Sequence, residues 1–94
     1  MALALAEVQS DNKRTRVTLY SFESGDETGF HVHEYDYVII PLCKGMLQLH
    51  DAQGNMQTTH LTQGQCYFRQ AGVAHNVVNV GDQPMRFVEV ELKP

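Results

Sequence analysis

Helical signals are what this chain lacks most. Beyond the first six residues, no segment repeats its apolar residues at the three-to-four spacing of an amphipathic helix. No apolar run approaches the ~20 residues that a membrane-spanning helix needs. The opening Met1 to Ala6 has no basic flank and is too short an apolar stretch for a secretory leader. A soluble, cytoplasmic protein without a membrane partner is therefore expected. Cysteine is scarce: Cys43 and Cys66 lie far apart and in no CxxC arrangement, which excludes a disulfide scaffold and fits a reducing compartment. Basic residues cluster nowhere beyond Lys13-Arg14-Thr15-Arg16, and the net charge is −4, so no nucleic-acid partner is expected. Repeats, linkers and low-complexity tracts are missing too, and residues 1–94 read as one domain.

What is present is a series of short strand signals. The hydrophobic fraction, 43%, suffices for one small core, and a small core favours burial between subunits, so a homodimer is expected. Arg16 to Glu23 alternates, with Val17 and Leu19 on one face and Thr18, Tyr20 and Phe22 on the other. An edge strand fits Leu3, Leu5 and Val8. A strand follows from the histidines through Tyr37-Val38-Ile39-Ile40, broken near Pro41. Met46 to His50 alternates, Asp51 to Asn55 reads as a hairpin turn, and Met56 to Leu61 is polar enough to face solvent. Further strands are expected at 66–69, at 75–80 and at Met85 to Leu92. Turn signals every 8–12 residues between short strands indicate an all-β sandwich or barrel.

His31 and His33 are separated by one residue. On a strand their side chains leave the same face, roughly 7 Å apart at the backbone, and two imidazoles leaning together can share a metal on bonds of about 2.0–2.1 Å. On a helix the same spacing splays the rings by about 200°. Such a pair needs a third ligand, and His75 is available.

Two spaced motifs frame these residues. Gly25 is followed by five residues, His31-x-His33 and a later Gly45; Gly64 is followed by five residues, then Gln70-Ala71-Gly72, two residues, His75, three residues and Asn79. Together they resemble the paired motifs of the cupin superfamily, with Gln70 standing where the family usually has proline. The look of YDYVIIPL and FVEVEL also resembles small single-domain cupins, some of them named for β-alanine degradation. The resemblance implies a small jelly-roll β-barrel of two packed antiparallel sheets. It further implies that His31, His33 and His75 point into its mouth around one divalent transition metal ion. Imidazole ligands suit Zn, Fe, Ni, Cu and, less well, Mn.

One departure stands out. The family pattern places a glutamate three or four residues after the second histidine, where this chain has Tyr37 and Val38. Seven residues separate Tyr37 from Gly45 where the family has six, so a one-residue bulge near Pro41 is expected. Three arrangements follow: a bare three-histidine site, placed first; a site with Tyr37 as fourth ligand or supporting group; or one with Asp36 swung in. Three neutral imidazoles leave the ion dipositive and strengthen its pull on an anionic ligand.

The expected function is that of a small metalloenzyme, of oxygenase, isomerase or lyase type, acting on a small organic acid or amino-acid-derived metabolite. Tyr37 is the candidate catalytic group, with His50 beside it as a weaker one. The alternative is a non-catalytic metal-dependent binding or sensing module. Other residues have plainer readings: His50 and His60 as strand-surface residues, Arg86 as a surface partner of Glu89, Glu91 or Asp82, and Arg69 as a possible carboxylate anchor. Asn79 ties a loop, the two cysteines pack, and Tyr35, Tyr67 and Phe68 belong to core or pocket wall.

Overall fold

A computed structural model describes residues 2–94. Among them the chain forms nine strands and no helix: β1 (Leu5–Asp11), β2 (Thr15–Phe22), β3 (His31–Val32), β4 (Asp36–Pro41), β5 (Gly45–His50), β6 (Met56–Leu61), β7 (Tyr67–Arg69), β8 (Ala74–Asn79) and β9 (Met85–Leu92). They make two antiparallel sheets, one of five strands in the order β1-β2-β9-β4-β7 and one of four in the order β3-β8-β5-β6. This is a jelly roll of two facing sheets.

The period-2 alternation sets which residues meet between the layers. In β2 Thr18 and Phe22 are buried, in β4 Tyr37, Ile39 and Pro41, and in β9 Met85, Phe87 and Glu89. Register places them in rows: Phe22 opposite Met85, Tyr20 opposite Phe87, and Glu89 between Thr18 and Ile39. Leu47, Leu61 and Val77 answer from the four-stranded sheet. Burying such a side chain contributes about 1.5–3 kcal/mol, so these rows hold the layers together. Packing is closest where Gly45 meets Met85. A Cβ at Gly45 would collide with the Met85 thioether, which is why a strand that starts there starts with glycine.

The outward faces of the two sheets differ. In the five-stranded sheet the outward phase is also apolar, with Val17, Val90 and Val38 aligned in one row and Leu19, Val88 and Ile40 in the next. All six are half-buried. Outward β6 is exposed and polar apart from Met56.

Two expectations change. The histidine strand and the apolar run are two strands in different sheets, because the chain crosses between layers at residues 33–35. The bulge expected near Pro41 is absent: β4 pairs with β9 without a break from Asp36 to Pro41, and the extra residue is taken up by the turn at Leu42 to Lys44. The one irregular ladder lies in β1, between Val8 and Ser10.

Candidate metal centre

The histidines are brought together by one short ladder. β3 pairs with β8 so that His31 lies directly opposite His75. Directly opposed residues in an antiparallel pair hold their Cβ atoms about 4.5–5.5 Å apart, within reach of two rings. His33 lies one residue beyond β3, but its backbone keeps to the same edge. Its N–H donates to the Val73 carbonyl at 2.8 Å, and its carbonyl accepts from Gly72 N–H at 2.8 Å. Gly72 has a φ of 98°, a left-handed conformation open to glycine at no steric cost. The loop ahead of His31 is tied to β8 by Asn76, whose Oδ1 accepts from Gly29 N–H at 2.9 Å, and by Thr28 Oγ1, which accepts from Val77 N–H at 3.1 Å.

The three rings stand nearly perpendicular to one another, with interplanar angles of 78°, 73° and 88°. His33 Nε2 lies 3.0 Å from His31 Nε2 and 3.1 Å from His75 Nε2. Hydrogen bonding alone cannot account for this. A ring nitrogen carries one hydrogen or one lone pair, so His33 Nε2 cannot serve two partners fully. His31 Nδ1 faces the Gly29 carbonyl at 2.9 Å, and a carbonyl only accepts, so Nδ1 carries the hydrogen and Nε2 of the neutral ring is bare. A cation among the three nitrogens removes the conflict. Ligands at right angles on bonds of about 2.1 Å stand about 3.0 Å apart, and at the tetrahedral angle about 3.4 Å. The two separations to His33 fit the first, and the ligand atoms of all three lie within 4.8 Å of one another.

Electrostatics favours neutral imidazoles. Burial, and then the neighbouring rings His31 and His75, push His33 down to about 4. Burial, and then His31, push His75 down to about 4 as well. Both lone pairs are therefore free at neutral pH, as metal binding requires.

Facing the rings is a cavity of about 450 Å³ between the sheets. Its walls are mainly apolar, from Ile39, Leu47, Leu49 and Phe87, with Asp51 and Asn55 at one side. Tyr37 is 3% exposed, lines the cavity and stacks flat on His33, with ring centroids 3.9 Å apart. Burial, and then Glu89, push its phenol up to about 12. Arg69 also lines the cavity, its guanidinium lying over the Tyr67 ring at 4.5 Å. Among the described residues it makes no ion pair, and its one hydrogen bond goes to the Phe68 carbonyl at 2.8 Å.

Several residues lie elsewhere than expected. Asp36 is outside the site and accepts from Ala71 N–H at 2.7 Å. His50 keeps its plainer reading as a locally bonded strand residue, its Nε2 2.8 Å from Gln48 Oε1. Phe68 is 49% exposed, because Tyr67 takes the inward phase of β7. Tyr35 is half-buried beneath Arg16, and Cys66 is exposed while Cys43 packs against Met85. Arg86 reaches Ser21 at 3.4 Å, and Arg16 is the partner of Glu91 at 3.5 Å. Asn79, 1% exposed, does tie loops: its Nδ2 donates to the Glu23 and Gln83 carbonyls at 3.2 and 2.9 Å, and its Oδ1 accepts from Gly81 N–H at 3.1 Å.

One residue went unrecognised from sequence. Glu89 is 6% exposed, lines the cavity and places Oε1 3.7 Å from His33 Nδ1. Burial, and then Glu91, push its carboxyl up to about 7. The signal was present: in Met85 to Leu92 it shares the phase of Met85 and Phe87, and an acid on the buried phase of a strand needs a reason.

Comparison with known proteins gives a consistent picture. The family model described as "Cupin domain" matches residues 18–91. A "Beta-alanine degradation protein BauB" of Pseudomonas aeruginosa is 46% identical over 90 residues, covering 96% of this chain and 94% of the relative. The crystal structure of a cupin domain from Bordetella pertussis Tohama I superposes with a TM-score of 0.94 at 44% identity, covering 99% of this chain and 96% of that one. A double-stranded β-helix protein from Klebsiella pneumoniae superposes at 0.78 with 24% identity, over 96% and 76% of the chains, and speaks to fold alone.

Proposed function

This chain belongs to the cupin domain family, and from that premise we propose that it is a metal-dependent enzyme of small organic acids. In this reading His31, His33 and His75 hold one divalent transition metal ion. The observation that carries it is the pair of Nε2 separations, 3.0 and 3.1 Å, among three perpendicular rings at the wall of a cavity. When bound, such an ion supplies Lewis acidity and, if redox-active, an electron.

The chain's own residues give the ligand its chemistry. The Arg69 fork, without a carboxylate partner among the described residues, matches a carboxylate through two parallel N–H donors. Ile39, Leu47 and Phe87 exclude water around the rest of the molecule. Tyr37 keeps its proton at neutral pH, so its phenol acts as a hydrogen-bond donor and not as a base. A relative named for β-alanine degradation supports an amino-acid-derived acid as the metabolite. The reaction class is oxygenase, isomerase or lyase, since the fold accommodates all three.

The same neutral phenol favours a second reading, a binding or sensing module without turnover. Tyr37 occupies the place of the family's carboxylate ligand and supplies no ionised base. Metal analysis of protein purified without chelator tests the shared premise. About one equivalent per chain is expected, falling in His75→Ala; less than about 0.2 equivalents in the wild type removes both readings. Small carboxylates that raise the melting temperature without forming product support the module, and product formation supports the enzyme.

A further inference from the structure

On the β4 side of the site the Tyr37 ring lies flat on His33. A carboxylate stands behind that imidazole, supplied by the opposite end of the chain and by the other sheet. Glu89 sits in β9 between Thr18 and Ile39, both 4% exposed, and its Oε1 faces His33 Nδ1 at 3.7 Å. Among the described residues neither of these atoms makes a hydrogen bond, and each is the other's counterpart in the ion-pair contact. Both side chains are under a tenth exposed, and both line the cavity.

A carboxyl on the inward phase of a strand, opening only on a mainly apolar cavity, is costly. Two observations give this one a purpose. First, its neighbour is the ring nitrogen that must carry the hydrogen if Nε2 is to offer a lone pair. Second, His31 already has the equivalent arrangement, with Nδ1 on the Gly29 carbonyl at 2.9 Å. Glu89 offers the same service to His33, with a full negative charge when ionised. It is too far back to be a ligand itself: the cluster of mutually close ligand atoms comprises His31, His33 and His75.

We propose that Glu89 is the positioning residue of the centre: its carboxylate closes the 3.7 Å to His33 when Nε2 takes up the ion, accepts the Nδ1 hydrogen and so fixes the tautomer and ring angle that aim Nε2. Groups in this position typically change metal affinity by 10–100-fold. The inference rests on the reading of the three histidines as metal ligands.

The test is competitive titration of zinc(II) or cobalt(II) against a chromophoric chelator, with the wild type, Glu89→Ala, Glu89→Gln and Glu91→Gln. Glu91 is the control: it removes the same charge two residues along the strand, from a side chain paired with Arg16 at 3.5 Å. Glu89→Ala is expected to bind about 10–100-fold more weakly and Glu89→Gln at least about fivefold more weakly, with Glu91→Gln within about twofold. The cobalt(II) d–d spectrum, which reports the ligand field and not the fold, is expected to shift in the Glu89 variants alone. Should Glu89→Ala not fold, the near-isosteric Glu89→Gln decides. Affinities within twofold of the wild type for both Glu89 variants, or an equal loss in Glu91→Gln, overturn the proposal. A wild type that binds neither metal overturns the ligand reading beneath it, a result distinguishable from the first.

Discussion

Replacing Glu89 by glutamine should stabilise the metal-free protein, and by an amount that grows with pH. Burial raises the Glu89 carboxyl from 4.5 to about 7, so the folded state holds a proton that the unfolded chain has already released. Between those two values folding takes up a proton, and stability therefore falls as pH rises. At 1.36 kcal/mol per unit, the loss comes to about 3 kcal/mol by about pH 8, and none of it is present below 4.5. Glu89→Gln has nothing to ionise there. The depressed His33 and His75 titrate in both proteins, favour the folded state at higher pH and drop out of the difference. Urea unfolding of chelator-treated wild type and variant measures it directly. The two are expected to have similar stabilities near pH 4.5, with the variant ahead by about 2–3 kcal/mol at about pH 8. A gap that stays constant with pH, or a wild type that gains on the variant as pH rises, refutes the reasoning. Saturating metal should narrow the gap at about pH 8 by about 1 kcal/mol for a fivefold affinity difference, because the tighter-binding protein gains more from its ligand.

Asn79→Ala removes a side chain making three hydrogen bonds to backbone groups, and should cost about 2–4 kcal/mol in urea unfolding at unchanged metal stoichiometry. A cost under about 0.5 kcal/mol would mean that those loops hold themselves. Arg69→Gln is expected to weaken binding of a small carboxylate about tenfold in calorimetry, with metal content untouched; equal affinity would remove Arg69 as the anchor. The apolar outward rows of β2, β9 and β4 lead us to expect sedimentation at twice the 10.6 kDa of one chain. Val90→Lys, in the middle of those rows, should return the single-chain value, and a wild type sedimenting as one chain would dispose of the dimer.

Legibility from sequence depended on whether a feature was local. The Gly–His spacings around His31, His33 and His75 are local, and through their resemblance to the cupin motifs they led to the jelly roll and to the trio of rings, two of which the structure brings within 3.1 Å of His33 Nε2. The i, i+2 argument worked for a subtler reason than expected. Only His31 and Val32 are in the ladder, and His33 stays in line because Gly72 and Val73 bond its backbone. Phase errors caused the other misses. Tyr67 and Phe68 differ by one residue, and sequence alone did not say which turns inward. Glu89 was read as a surface acid because charge usually means solvent. Its phase, shared with Met85 and Phe87, pointed the other way. The layer change between His33 and Asp36 was not visible at all, since nothing in Glu34 or Tyr35 announces which sheet the chain joins next.

The rings hang from one layer of the sandwich, on β3 and β8, while the carboxylate behind them belongs to the other. The 3.7 Å between Glu89 and His33 is therefore also a measure of the gap between layers. Anything that pries the layers apart, whether a bulky occupant or a distant cavity-forming mutation, lengthens that distance. On the proposed reading, sandwich spacing and grip on the ion become one mechanical variable.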